Sequence, residues 1–150
     1  PVQAEWLPTA IARTRMGDGF DLVVLTDEAL AELGLDRVPV ARSALGLAVR
    51  AGTPKPFIAT EDGFRAALLG ARSLAWSRAG ASGIHLESVL EQLGIAQQVR
   101  ARGTVIAQGF TAECLLDGRA DLAVQQVSEL MAVEGTEVVG PFPERFQARA

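Results

Sequence analysis

Tyrosine is absent from the 150 residues, and cysteine and histidine occur once each, as Cys114 and His85. A single cysteine excludes an internal disulfide and any Cys cluster for zinc or iron–sulfur. A single histidine excludes a multi-His metal site and obliges any His-based triad to use His85. Lysine is nearly absent too: Lys55 stands alone and arginine supplies the other cations. Acidic residues number 18 against 14 basic ones, a net charge of −4 with the signs interspersed. There is no basic patch, which argues against general nucleic-acid binding. No apolar run reaches the length of a membrane span, no signal peptide is recognisable at the start, and no repeat of fixed period occurs.

What is present suits a globular chain. Hydrophobic residues make up 49% and charged residues 21%, well inside the range of folded proteins. The length fits one domain or two small lobes, and a core of useful size can form.

The stretch Trp76-Ser77-Arg78-Ala79-Gly80-Ala81-Ser82-Gly83 organises the reading. Before it, Ser73–Trp76 reads as a short buried strand. After it, Ile84, Leu86, Val89, Leu90 and Leu93 fall on one helix face. The small residues therefore carry the chain from a strand into a helix N-terminus. Such an end presents unpaired N–H groups and the positive end of the helix dipole. Ser77 and Ser82 add hydroxyls and Arg78 a cation, a set able to hold a carboxylate or an oxyanion. The same residues also read as a plain turn, with Ser82 only capping the helix.

In chain order, a helix enters through Pro8-Thr9 and stops at Gly17-Asp18-Gly19. Asp21–Thr26 reads as a strand buried on both faces, because it does not alternate. Thr26 or Asp27 then caps a helix through Leu33, with Gly34 as its stop. Ala44–Arg50 is a strand, and Gly52-Thr53-Pro54-Lys55-Pro56 is the strongest boundary. Thr60-Glu61-Asp62 opens a helix through Ala71, and Gly83–Leu93 forms another, ended at Gly94. Thr104–Ala107 is a strand, Gln108-Gly109 a turn and Thr111–Asp117 a helix. Asp121–Gln126 is a strand, Val127–Met131 a short helix and Glu137–Val139 a last strand, broken by Gly140-Pro141-Phe142-Pro143. The tail Glu144–Ala150 reads as helical or frayed.

This alternation implies an α/β fold with mainly parallel pairing. Ligands of such sheets sit beyond the carboxyl ends of strands. Thr26-Asp27, Ser77–Gly83, Gln108-Gly109 and Gln125-Gln126 are four such ends with small or polar groups.

Three segments in order carry a family resemblance. The first is Arg42–Gly52 followed by Pro54-Lys55-Pro56. The second is Ala81-Ser82-Gly83-Ile84-His85-Leu86 with Leu90–Ile95. The third is Ala120–Leu130 with Val138–Pro143. Asp21–Leu30 is similar as well. Together they resemble the molybdate-binding-protein-like branch of type 2 periplasmic solute-binding proteins. The resemblance implies a two-lobe α/β fold with the ligand in the cleft between the lobes. Residues 1–52 and 132–150 would form the first lobe, without the family's opening strand and helix, and 53–131 the second. It places Ser82, Gly83 and Gly109 at backbone contacts to the ligand. Thr9 stands where the family has a ligand serine, and Gln126 falls near the tyrosine of molybdate binders.

The expectation is therefore a non-catalytic binding protein that captures a small oxyanion or organic acid, with no cofactor and no metal. The expected ligand-binding residues are Thr9, Thr26, Ser77, Arg78, Ser82, Gly83, Gly109 and Gln126. The resemblance implies a periplasmic or secreted location and an ABC-transporter permease as partner, and the shortened first lobe suggests a homo-oligomer that completes it. Two alternatives stay open: an effector-sensing or interaction domain, and a small enzyme with His85 or Asp27 as base. His85 otherwise covers its helix, and Cys114 fits a small core residue. Asp27 and Glu28 suit the helix dipole, and Arg42 and Arg50 are either cleft-lining or solvated.

Overall fold

The computed structural model describes residues 1–7 and 9–148. Its contacts divide the chain into two compact units, Pro1–Arg42 and Ser43–Arg149.

The first unit holds two short helices, α1 (Thr9–Thr14) and α2 (Asp27–Glu32). Thr26 caps α2 as expected: its Oγ1 accepts a hydrogen bond from Ala29 N at 3.3 Å. Asp27 and Glu28 lie in the first turn, where the dipole favours acids. Gly34 follows the helix with φ +67°. Arg13 pairs with Glu32, Arg15 with Glu5 and Asp18, and Arg37 with Asp27. The expected strand Asp21–Thr26 does not form. It has no pairing strand for its N–H and C=O groups, and Leu22 and Val24 are 81% and 70% exposed. Apolar composition alone does not make a strand. Pro8, the expected helix entrance, lies outside the described residues.

The second unit contains β1 (Leu45–Arg50), α3 (Glu61–Gly70), β2 (Leu74–Ser77), α4 (Ala81–Gln92), α5 (Ala96–Arg100), β3 (Thr104–Ile106), α6 (Glu113–Leu116), β4 (Leu122–Gln126), α7 (Val127–Leu130) and β5 (Thr136–Pro141). The sheet order is β3-β2-β4-β1-β5. Strands β1 and β5, from segments 1–52 and 132–150, thus share one sheet with the strands of 53–131. The α/β class holds, but pairing is mixed. β2 runs parallel to β3 and β4, whereas β1 runs antiparallel to β4 and β5. Pro141 ends a strand at the sheet edge, where a missing N–H is tolerated, so Gly140-Pro141 extends β5 rather than breaking it. Helix α5 replaces an expected polar stretch. It is only five residues long and buries just Ala96 and Val99, too little pattern to read. The helix expected from Thr111 starts later, at Glu113.

The inner strands β1, β2 and β4 are buried on both faces, yet they alternate in side-chain size. Leu45, Leu47, Val49, Leu74, Trp76, Leu122 and Val124 face the larger core with Phe64, Leu68, Leu86 and Leu90. Ala48, Ala75 and Ala123 face the smaller one with Cys114, Leu115 and Leu130. Large side chains hold α3 and α4 on one face; alanines let α6 and α7 approach closely on the other. The tail after β5 is held rather than frayed. Phe146 packs 5.7 Å from the Phe64 ring, and Phe142 packs 4.8 Å from it. Gln147 bonds both backbone groups of Leu45, accepting from its N at 3.0 Å and donating to its O at 2.8 Å. Residues 149–150 of the expected tail lie outside the described residues. Among the described residues no helix is long and apolar enough to cross a membrane.

Phe64 is fully buried and joins α3 to both C-terminal phenylalanines. Phe64→Ala is expected to cost about 3–5 kcal/mol, from lost transfer energy plus the cavity. Urea unfolding should show a midpoint lowered accordingly, with an unchanged slope.

Candidate functional site

Because β2 is parallel to β3 and β4, the carboxyl ends Ser77, Ile106 and Gln126 lie at one end of the sheet. The amino end of β1 joins them, since Leu45 stands opposite Gln126. Ser43 and Ser128 also meet at this end, with their hydroxyl oxygens 3.1 Å apart.

The β2–α4 junction forms the first wall. Arg78 N donates to Ile106 O at 2.9 Å, which carries the parallel ladder one step past the strand. Gly80 N then donates to Ser77 Oγ at 3.0 Å. This bond turns the chain and leaves the Ser77 hydroxyl hydrogen free to donate. Gly80, not Ser82, is the N-cap of α4. Ser82 is buried inside the first turn, so it cannot serve as the expected cap. The first intrahelical bond runs from Ile84 N to Gly80 O at 3.1 Å. The N–H groups of Ala81, Ser82 and Gly83 therefore precede the helical ladder. A Cβ on Gly83 would lie 1.7 Å from Ser77 O. Only glycine lets the helix start sit directly on the strand end.

Arg78 is exposed beside this helix start, and among the described residues it belongs to no ion pair. Arg13, Arg15, Arg37, Arg100, Arg119 and Arg145 face carboxylates, and Arg65, Arg72 and Arg102 bond backbone carbonyls; Arg78 shares its lack of an ion pair with these last three and with Arg42 and Arg50.

The turn after β3 forms the second wall. Gly109 has φ +93°, a backbone conformation that favours glycine, and a Cβ there would meet nothing within 4 Å. The turn thus faces open space. Buried Gln125 holds it from behind. Gln125 Oε1 accepts from Thr111 N at 2.9 Å, and Gln125 Nε2 donates to Gly109 O at 3.2 Å. Thr111 Oγ1 donates to Val124 O at 3.0 Å. Gln125 Nε2 also donates to Glu129 Oε1 at 3.2 Å, and Glu129 Oε2 accepts from Gln126 N at 3.2 Å. Burial pushes the Glu129 carboxyl above its ordinary range; the bonds from Gln126 N and Gln125 oppose the shift.

Six of the eight expected residues, Ser77, Arg78, Ser82, Gly83, Gly109 and Gln126, fall at this end of the second unit. Thr9 and Thr26 belong to the first unit; Thr9 is the exposed first residue of α1, and Thr26 Oγ1 caps α2. Gln125, Thr111, Glu129 and Ser43 were not singled out from the sequence as site residues. A signal existed for Glu129: it stands three residues after an N-cap, as a capping box requires. His85 is turned away, its Nε2 2.7 Å from Phe146 O, so it pins the tail. Asp27, the other base considered, is paired with Arg37 at 2.5 Å. Burial pushes the Cys114 thiol up, which keeps it a neutral core group. Arg50 stands opposite Thr136, at the far end of β1. No group of three or more metal-type side chains gathers among the described residues. A recess of about 430 Å³ lies elsewhere, between Pro56–Ala59 and Val139–Pro143. Its lining carries no charged side chain to meet an anion.

An α/β sheet with a polar strand end and free helix N–H groups is the framework of a solute-binding protein. The model of the bacterial extracellular solute-binding protein family matches residues 2–150, and the chain belongs to that family. More particularly, it is 32% identical over 149 residues to an aconitate isomerase of Pseudomonas sp., covering 94% of this chain and 55% of that protein. The chain thus spans about half the length of the curated relative it matches. Among solved structures it is similar to an ancestral arginine-binding protein bound to arginine, with a TM-score of 0.45 and 18% identity over 67% of this chain and 44% of that one. The expectation of a non-catalytic protein is overturned by the isomerase, a relative that is an enzyme. That expectation rested on the convergence of polar strand ends and helix N-termini and on the family resemblance. A strand-end cleft that holds an anion can also hold it for reaction, and an isomerisation needs no nucleophile.

Gly83→Ala is expected to push α4 off the end of β2, because the clash is with backbone. The loss should be about 1–3 kcal/mol, with amide shifts in a nitrogen–proton correlation spectrum concentrated at residues 77–84. An unaltered spectrum there would contradict the packing described.

Proposed function

We propose that this chain is part of a solute-binding-fold isomerase that holds a small unsaturated polycarboxylate, aconitate or a close analogue, at the carboxyl ends of β2, β3 and β4. The observation that carries this reading is the 32% identity across 149 residues with an aconitate isomerase. The site's chemistry supports it. A carboxylate needs several donors in one place, and the free N–H groups at the start of α4 supply them with the favourable end of the helix dipole. Arg78, without a carboxylate partner among the described residues, is suited to pair a ligand carboxylate through two parallel N–H bonds. Ser77 has a hydroxyl hydrogen to give. Gly109 leaves room at the second wall, and Gln126 closes the site beside it. Ser82 and Gly83 act through their backbone N–H groups.

Isomerising such a ligand is a balanced proton shift. A proton leaves the saturated carbon, the C–H electron pair forms the new double bond, and a proton returns at the former alkene carbon. Negative charge builds on a carboxylate between the two transfers. Fixed N–H donors and a guanidinium aimed at that carboxylate would stabilise it. The extracellular description of the family supports a periplasmic or secreted location.

The test is a thermal-shift titration with cis-aconitate, trans-aconitate, molybdate and sulfate, on the wild-type chain and on Arg78→Ala. A ligand bound only by the folded state raises the midpoint by mass action. Aconitate should raise it. Arg78→Ala should weaken that binding about tenfold or more, by the loss of a hydrogen-bonded charge pair. A response to molybdate alone, or an Arg78→Ala chain that binds aconitate as tightly as the parent, overturns the reading.

A further inference from the structure

The Gln125 side chain is almost fully buried, at 5% exposure, and has partners on two sides. Forward, it grips both flanks of Phe110, through Gly109 O and Thr111 N. Backward, its amide leans on Glu129 Oε1. Thr111 N and Gly109 O fix which way round the amide sits, and Glu129 Oε1 takes its remaining N–H from behind. Glu129 is itself held by Gln126 N. The chain of contacts runs from half-buried Glu129 on α7 through buried Gln125 on β4 to the exposed turn after β3. We propose that Gln125 is a positioning residue, braced from behind by Glu129, that sets the Gly109 turn in its ligand-holding conformation. This rests on the strand-end site described above.

The arrangement depends on charge. An ionised Glu129 accepts two N–H bonds; a protonated one gives up an acceptor position and loosens Gln125. The elements packed against α7 carry two charged residues, Arg50 on β1 and Glu137 on β5. Arg50 sits at the far end of β1, and Glu137 pairs with Lys55 at 3.2 Å. β4 has no titratable side chain. The groups that face the carboxylate are therefore the Gln125 amide and the Gln126 N–H. Burial raises the Glu129 carboxyl, so the turn loosens at a pH above the ordinary carboxylate range. The global effect has the opposite sign. For an acid whose folded pKa is raised, stability is full below the unfolded value and is lost as pH rises toward the folded one.

The experiment is amide hydrogen exchange at Thr111 across weakly acidic to neutral pH, each rate normalised to that of the unstructured peptide at the same pH. The wild-type chain is compared with Glu129→Gln and Gln125→Met, and cis-aconitate affinity is measured on the same samples. In Glu129→Gln the single amide oxygen cannot accept from both Gln125 Nε2 and Gln126 N, and the NH₂ is set against one of these donors. Thr111 protection should fall about tenfold at neutral pH and stop varying with pH, while wild type falls to the same level on acidification. Gln125→Met should show the low protection throughout. Aconitate affinity should drop in step in both variants. Thr111 protection in Glu129→Gln equal to wild type at every pH would overturn the proposal, as would protection that falls without a change in affinity. If wild type binds no polycarboxylate, the functional reading fails, and the exchange data still decide what Gln125 does.

Discussion

The contact on which the second unit depends is the seating of α4 on the end of β2. Gly83 lies against the carbonyl of Ser77 with no room for a methyl group. That closeness places the free N–H groups of the helix start directly beyond the strand. It also puts Ser77 and Arg78 beside them and lines the junction up with the turn after β3 through the bond from Arg78 N to Ile106 O. Moving the helix by a side chain's width would separate the donors from the guanidinium. The sheet behind the junction is stiffened by size alternation: leucine, valine and tryptophan on one face, alanine on the other.

The same geometry explains how a binding fold can serve an enzyme. Holding an anion takes fixed donors that pay no reorganisation cost on binding. Stabilising an anion that develops during reaction takes the same thing. The difference lies in where the donors point and in whether a proton can be moved nearby. Glu129, half-buried behind the second wall, is tied to the site through Gln125 and steadies that wall. A solute-binding family match over nearly the whole chain and an isomerase relative are thus compatible findings.

Much of the second unit was legible in its residues. Thr60 capping α3, Gly94 ending α4 and the strand–loop–helix order all follow from local chemistry. The Ser77–Gly83 junction was legible because small residues, serines and an arginine between a buried strand and a helix have few other uses. The buried Gln125 network was not. Its meaning comes from β3 and β4 ending at the same end of the sheet, on either side of β2, and strand order is invisible to periodicity. The antiparallel placement of β1 was hidden for the same reason. The segment Asp21–Thr26 misled because its apolar run looks like a strand, and only the absence of a partner strand decides otherwise. Ser82 looked like a cap, yet Gly80 takes that position two residues earlier in the junction.

The central claim is that this strand-end cleft moves a proton on an unsaturated polycarboxylate. It is tested most directly by incubating the protein with cis-aconitate in heavy water and following the ligand by proton and deuterium NMR. The account predicts deuterium entering at the former alkene CH carbon, which becomes the methylene of the product, with trans-aconitate appearing at a matching rate. Aconitate that perturbs the amides of Ser82 and Gly83, yet stays unlabelled and unisomerised, would contradict the claim and leave a binding protein in its place.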